Sequence, residues 1–325
     1  MSDTAAELRL RIDVNDPTNQ PLAESSRFAV RAEELGFAGV GMPDHPHTGR
    51  DVFVRLALAA QRTERVTLFP SVANPVSRNT RMLATLAATL GELAPGRARL
   101  VIGSGQNAVE YVGRPGATVS EMREAAEAIR RTLATELSSE PSVPVYINAS
   151  SPGMLEAGGA SADGVYAMVG VDPEVAAVAV GHVQAGARAA GREEERIPVA
   201  LGLPVFMADS PDHAYESAAE YALSNVLRRS RVFSRVLRER MPLLADVSTV
   251  SKLSSAQVRQ LVDAMVASGT PGEAATRALA FAEETKSRHF IARVQFAGED
   301  PLRAIEAFSE ALRAVGGEGV LGAGN

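Results

Sequence analysis

At five junctions in this chain a helix-capping side chain stands directly before a proline that opens a helix-like segment: Ser151-Pro152, Asp172-Pro173, Ser210-Pro211, Thr270-Pro271 and Asp300-Pro301. The cap oxygen accepts an N–H orphaned at a helix start, and a proline in the first helical position has no N–H to satisfy. Each pair therefore opens a helix. Thr270-Pro271-Gly272-Glu273 adds the spacing of a capping box. All but Thr270-Pro271 closely follow a short apolar run of strand length: "VPVYINA" (143–149), "GVYAMVG" (164–170), "IPVALGLPVFMA" (197–208) and "FIARVQF" (290–296).

The first half keeps the same rhythm. "LRLRIDV" (8–14) reads as a strand before a helix from Glu24 to Leu35, closed by Gly36. "GVGM" (39–42) precedes a helix with Phe53, Leu56, Ala57 and Ala60 on one face. "RVTLFPSV" (65–72) precedes a helix carrying Leu83, Leu86, Leu90 and Leu93 at helical spacing, and "RARLVIG" (97–103) precedes a helix from about Val119 to Leu137. Eight strands, each followed by a helix, predict an α/β fold of the (β/α)8 TIM-barrel type. The 325 residues are expected to form one domain.

The stretch from about 209 to 287, between the seventh and eighth strands, is too long for one helix and predicts extra helices over the barrel mouth. Within it Arg228, Arg231, Arg235 and Arg238 fall on one helical face, opposite Val226, Phe233, Val236 and Leu237. That face is read as a solvated or subunit-contact surface, or as a clamp for an anionic ligand tail. The net charge of −6 argues against general affinity for nucleic acid or anionic membrane. The absence of cysteine excludes disulfides, Fe–S clusters and a thiol nucleophile. The N-terminal stretch lacks an apolar segment after a basic start and no apolar run is long enough to span a membrane, so no signal peptide and a soluble, cytoplasmic protein are expected.

A barrel of this kind builds its site from the loops after the C-terminal strand ends. Those loops hold Asp44, His45 and His47; then Ser71, Val72, Ala73, Asn74 and Pro75; then Gly103, Ser104, Gly105, Gln106 and Asn107; then Asn148 to Gly153; then Gly170 and Val171. Ser151 caps a helix whose free N–H groups at Gly153 and Met154 suit a phosphate, with Ser150 and Ser151 as hydroxyl donors; an ordinary capped helix is the other reading. "GSGQNA" (103–108) fits a dinucleotide fingerprint only weakly, because no acidic residue ends a strand about twenty residues on. Gly103 and Gly105 are read instead as letting the backbone pass close to a ligand, or as a plain tight turn. His45 is the acid–base candidate, since imidazole titrates near neutrality, with Asp44 to orient it or bind a ligand. His47 is discounted as a plain loop histidine. No standard metal-ligand spacing is present, so no metal is assigned.

These residues, with "AEELGFAGVGMPDH" (32–45), "SVANPVSR" (71–78), "LATLAATLGELAPGRARLVIGSG" (83–105), "AVEYVGRPGATVSEMREA" (108–125), "ASSPGML" (149–155), "ADGVYAMVG" (162–170) and "SGTPGEA" (268–274), resemble the bacterial luciferase-like superfamily. The resemblance is to its deazaflavin-dependent branch, which holds methylenetetrahydromethanopterin reductase. It implies that Asp44 and His45 lie against the deazaflavin ring, and that Ser71-Val72 is a non-prolyl cis peptide behind it. It further implies that Gly103 to Gly105 lie near the ring or its side chain, that Ala149 to Met154 take the coenzyme phosphate, and that Gly170 borders the site. Two departures stand out: Arg78-Asn79-Thr80 where relatives carry Arg-His-Pro, and Ser151 where they carry glycine. There is also no tryptophan to shield a ring.

The expectation is a reductase using reduced 8-hydroxy-5-deazaflavin, coenzyme F-420, to pass hydride to an activated C=C or C=N bond of a small molecule or modified peptide. His45, with Glu110 as a second candidate, would supply the proton. An FMN-dependent monooxygenase on the same fold is the alternative, and a non-catalytic flavin-binding protein the third reading. A homodimer is expected from the resemblance.

Overall fold

Alternating apolar runs and capped helices place nineteen described elements along the chain, in a computed structural model that describes residues 8–322 apart from 18–19, 47–48, 107, 138–141, 229–238 and 240–248. They are β1 (Arg11–Asn15), α1 (Leu22–Glu34), β2 (Gly39–Met42), α2 (Val52–Ala60), β3 (Thr67–Pro70), α3 (Thr80–Leu93), β4 (Leu100–Ile102), α4 (Val119–Thr135), β5 (Val145–Ala149) and α5 (Pro152–Ser161). There follow β6 (Gly164–Ala167), α6 (Pro173–Ala189), β7 (Val199–Met207), α7 (Pro211–Arg228), α8 (Ser255–Met265), β8 (Ala267–Gly269), α9 (Pro271–Thr285), β9 (His289–Phe296) and α10 (Pro301–Gly316).

All pairings are parallel, in the order β3-β2-β1-β9-β7-β6-β5-β4. Bridges from Leu68 to Ala98 and from Ala73 to Ile102 bring β3 to β4, so the eight strands nearly close on themselves. The expected barrel is present, with one strand more than predicted. β6 pairs β7 only from Val199 to Leu201, and β8 takes over along Val205 to Met207. β8 is Ala-Ser-Gly and carries no apolar alternation, which is why it is invisible in the sequence. With β8 in place, Thr270-Pro271 follows a strand like the other four junctions.

The two Asp-Pro junctions cap as their chemistry dictates. Asp172 accepts N–H bonds from Glu174 and Val175 at the start of α6, and Asp300 does the same for Leu302 and Arg303 at the start of α10. Side chains alternate across each strand. One set (Ile12, Val14, Val40, Leu68, Ile147, Val165) packs against the helices, and the other (Phe69, Val101, Tyr146, Tyr166, Ala200, Ile291) fills the barrel. The helical faces differ in detail from expectation. In α3 the buried face is Leu83, Ala84, Ala87 and Leu90, while Leu93 is exposed, because alanines let the helix sit close to the sheet. In α2 the buried face includes Arg55, whose guanidinium meets the buried Asp16 carboxylate at 2.5 Å and the Ser25 hydroxyl.

A second buried ion pair lies inside the barrel itself. Asp13 of β1 is fully buried, and its Oδ2 accepts from Arg99 (2.8 Å), from the Tyr166 hydroxyl (2.5 Å) and from His289 Nε2 (2.9 Å). The Arg99 guanidinium also lies 4.8 Å from the Tyr146 ring and 5.4 Å from the Phe69 ring. A Cβ on Gly39 would stand 2.5 Å from Asp13 Oδ1, so only glycine leaves room for this carboxylate. Burial alone would raise the Asp13 carboxyl, but Arg99 and His289 outweigh it and hold the group well below the usual carboxylate range.

Removing one partner of a buried pair strands the other charge, a cost of about 3–5 kcal/mol. Asp13→Asn is therefore expected to lower stability at pH 7 by about that amount, read from urea unfolding. Because the folded carboxyl titrates below the unfolded one, the stabilisation is complete above about pH 4–5 and is lost as pH falls further. The gap between the native protein and the variant should accordingly narrow in acid and stay constant towards neutrality.

Candidate active site

The loops after β3 and β4 are locked into one another at the mouth. Ser71 N–H donates to the Met42 carbonyl (2.6 Å), and the Ser71–Val72 peptide is cis, as the resemblance implied. Val72 turns down onto the apolar filling of the barrel. Ala73 N–H donates to Val101 O, and Gly103 N–H donates to Ala73 O (2.9 Å). A Cβ on Gly103 would stand 2.8 Å from Val72 Cγ2, and one on Gly105, at φ +76°, would stand 2.7 Å from Asn74 Cγ. These two glycines therefore answer to close backbone approach. The dinucleotide reading does not hold, because the glycines lead into a short turn at Val109–Val112 rather than a helix.

Asn74 is buried and shapes its own loop: Oδ1 accepts from Val76 N, Ser77 N and the Ser77 hydroxyl. Among the described residues its Nδ2 has no partner, and neither has Oδ1 of Asn15, the last residue of β1. Sequence reasoning passed over Asn15. Its signal was the parity of Arg11, Asp13 and Asn15, the polar alternate of an otherwise apolar strand.

After β2, Asp44 is held from a distance in sequence. Arg78 Nε donates to Asp44 Oδ2 (2.8 Å) and Arg78 Nη2 to Oδ1 (3.0 Å), while Nη2 also reaches Asp51 at 2.7 Å. Asp51 in turn caps α2 through the N–H groups of Phe53 and Val54. The Asp44 hydrogen bond, with Asp51 behind it, keeps the Arg78 charge well above the ordinary arginine range. Burial works against Asp51, yet Arg78 and the α2 amides hold its carboxyl below the usual range. Asp44 thus makes a forked ion pair that fixes the β2–α2 turn, and His45, half-buried, leaves that turn edge-on to Tyr111 (ring centroids 5.2 Å apart, 79°). Glu110 neighbours Tyr111 on the same short turn and is exposed.

Asn79, where relatives were expected to carry histidine, is the N-cap of α3: its Oδ1 accepts from Met82 N at 2.8 Å. At α5, Ser151 stands at the N-cap, but its hydroxyl makes no hydrogen bond to the helix, unlike Asp172 and Asp300. The Ser151 side chain therefore leaves the first-turn amides around Gly153 and Met154 uncapped. Ala149 and Met154 are buried; Ser150, Ser151 and Gly153 are half-buried. Ser104 is half-buried, and its carbonyl accepts from Ala117 N. Gly170, at φ +87°, turns the chain so that Val171 N–H meets Ala264 O.

These loops follow β2, β3, β4, β5 and β6, an unbroken arc of the barrel rim. His47, Asn107 and Arg231, Arg235 and Arg238 lie outside the described residues, as does the Arg228 side chain. Among the described residues no group of three or more His, Asp or Glu is placed to hold a metal ion.

The rim, the cis peptide and the nearly closed parallel barrel define a luciferase-like fold, and the chain belongs to the luciferase-like monooxygenase family, whose sequence model matches residues 8–288. It is 30% identical to 5,10-methylenetetrahydromethanopterin reductase of Methanolobus tindarius over 65% of this chain and 70% of that protein. It is also 30% identical to an F420-dependent glucose-6-phosphate dehydrogenase of Kineococcus radiotolerans, over 60% and 67%. In fold it is similar to the coenzyme F420-dependent tetrahydromethanopterin reductase of Methanopyrus kandleri (TM-score 0.75, 19% identity, 94% of this chain and 99% of that one). An F420-dependent secondary alcohol dehydrogenase with an F420-acetone adduct superposes as well (0.75, 20%, 95% and 99%), and so does monooxygenase RslO1 of Streptomyces bottropensis (0.67, 19%, 94% and 99%).

The cap at Asn79 gives a direct check. Asn79→Ala should cost about 0.5–2 kcal/mol in urea unfolding, the range for losing an N-cap, while deazaflavin binding followed by fluorescence stays unchanged. A loss of binding without a loss of stability would make Asn79 a ligand contact instead.

Proposed function

We propose that this protein is an oxidoreductase of the luciferase-like class that takes hydride from reduced coenzyme F-420 and passes it to an activated C=C or C=N bond of a small molecule, a specialised metabolite or a modified peptide. One observation carries the reading of the coenzyme. The two curated relatives at 30% identity act on a pterin and on a sugar phosphate, and what the F420-dependent enzymes around this chain have in common is the coenzyme, not the substrate.

The residues present fit such a group. Two buried polar atoms, Asn15 Oδ1 and Asn74 Nδ2, have no partner among the described residues and suit the polar edge of a ring. The helix start at α5, where Ser151 leaves the first-turn amides to other acceptors, suits a phosphate. Ser150, Ser151 and the backbone from Ala149 to Met154 would hold that phosphate. The backbone from Ser71 to Asn74 and from Gly103 to Gly105 would support the ring, and Gly170 would border it. When bound, the coenzyme supplies the hydride.

The chain's own part is placement and the proton. Arg78 holds Asp44, and Asp44 holds the turn from which His45 projects, so Asp44 acts as a positioning residue. His45 carries the proton to the atom beside the one that receives hydride, its ring plane set by Tyr111. Glu110 is the second carrier. The likeness to monooxygenase RslO1 favours one rival, an FMN-dependent monooxygenase on the same barrel. We place the protein in the cytoplasm as a homodimer, the commonest closed assembly; light scattering tests the latter.

Titration with the deazaflavin coenzyme and separately with FMN, followed by fluorescence, tests the assignment: tight binding of the deazaflavin alone is expected, and preference for FMN overturns it. His45→Ala should then slow single-turnover hydride transfer by about 10²–10⁴-fold, the usual worth of a general acid, with coenzyme affinity little changed. Equal turnover in that variant removes His45 from the chemistry.

A further inference from the structure

Arg78 lies between β3 and α3, outside any strand or helix, yet three parts of the barrel mouth meet on it. Its N–H donates to the Asn74 carbonyl (3.3 Å), which ties its backbone to the loop that follows the cis peptide. Its guanidinium forks onto Asp44 of the β2–α2 turn, through Nε at 2.8 Å and Nη2 at 3.0 Å, and the same Nη2 reaches Asp51, the cap of α2. The guanidinium carbon also stands 5.4 Å from the ring centroid of Phe53, in the first turn of α2. The cis-peptide loop and the turn that carries His45 are thus joined through one side chain.

A tie between loops would need only hydrogen bonds, and a neutral side chain could supply them. The charges here ask for more. Two carboxylates, Asp44 and Asp51, converge on one guanidinium, and His45 directly follows Asp44. The Asp44 and Arg78 side chains are only 11% and 24% exposed, so salt screens this pair far less than one on the open surface. A carboxylate beside an imidazole makes the imidazole hold its proton more tightly, and a guanidinium paired with that carboxylate offsets the pull. The other charged or titratable groups on the segments that meet at His45 are Arg50 of its own turn, and Tyr111 with the exposed Glu110 on the turn after β4.

We propose that Arg78 is a positioning residue for the proton step. It registers the His45 turn against the cis-peptide loop and balances the Asp44 charge, so that His45 gives up its proton more readily than it would beside an unpaired carboxylate. This rests on the reading of His45 as the proton carrier.

The test reads the protonation of His45 in the full chain, without coenzyme or substrate, by proton NMR of the imidazole ring against pH. The chain has five histidines, and the His45 signal is the one lost in His45→Ala. In Arg78→Gln the two carboxylates lose their countercharge, and the His45 midpoint should rise by about one pH unit. Asp44→Asn removes the adjacent carboxylate, so there the midpoint should fall. With both substitutions together it should return close to that of the native chain. Arg78→Lys keeps the charge and loses the fork, and should move the midpoint much less than Arg78→Gln does. A merely structural role would not give shifts of opposite sign that cancel. Urea unfolding shows which variants are folded, and if Arg78→Gln is not, Asp44→Asn and Arg78→Lys carry the test. An unmoved or lowered midpoint in Arg78→Gln, an unmoved or raised one in Asp44→Asn, or a double variant that stays displaced would each overturn the proposal. Turnover keeps the two readings apart. Unchanged turnover in His45→Ala removes His45 from the chemistry, and the proton role of Arg78 with it. A slow His45→Ala beside an unmoved midpoint in Arg78→Gln removes Arg78 alone.

Discussion

The Asp13 carboxylate, fully buried inside the barrel and met on one oxygen by Arg99, Tyr166 and His289, is the interaction on which the rest of the architecture leans. It ties β1, the start of β4, β6 and β9 together across the barrel interior rather than along the sheet. β3 and β4 meet through isolated bridges rather than a continuous ladder. Arg99, which immediately precedes β4, spans that gap with its charge on Asp13 and its plane against Phe69 of β3 and Tyr146 of β5. A buried charge pair is weak evidence for stability, but its geometric demands select one arrangement of strands. Gly39 is one such demand, since any side chain there would displace the carboxylate.

Above this polar plug the filling becomes apolar and then opens into the mouth. The order matters for chemistry. Val72, turned inward by the cis peptide, closes the apolar layer and is itself pinned by the bare Gly103 backbone. The loops after β3 and β4 therefore act as one body, and a flat group resting on them would find a fixed surface. On the neighbouring strand the chain Asp51–Arg78–Asp44 joins the α2 start, the α3 entry and the β2 turn. Its consequence is that His45 is carried by a braced turn instead of a free loop.

Two regions of the molecule are built differently. The rim from β2 to β6 is built from short loops locked by backbone contacts, which suits a ligand that does not vary. Among the described residues, the long passage between β7 and β9 carries α7, α8, β8 and α9. β7 serves both regions: its first residues pair with β6, its last with β8.

Local chemistry is what made the barrel legible. A cap, a proline and an apolar run each act through neighbours within a few residues, so Asp172-Pro173 and Asp300-Pro301 announced α6 and α10 without any tertiary information. The same locality hid β8, whose Ala-Ser-Gly has no pattern to read and exists as a strand only because β7 outruns β6. It also hid Leu93, periodic in sequence yet exposed, since alanines rather than leucines set how closely α3 approaches. At the site, the strand-end residues and the cis bond were legible through resemblance. The unpartnered Asn15 and Asn74 atoms were not, because whether a polar atom finds a partner depends on strands far away in sequence.

By itself, then, the sequence determined the repeating strand–helix unit, its count around the ring and the loops that would face the mouth, since caps, prolines and alternation are short-range forces. Tertiary structure alone decided which charges were buried and with whom. Asp13 meets Arg99 across 86 residues and Asp44 meets Arg78 across 34, and nothing in the composition distinguishes those arginines from the many that stay in water. The physical reason is that burial of a charge is a property of the closed barrel: it requires a partner at hydrogen-bond distance, and only the fold supplies that distance.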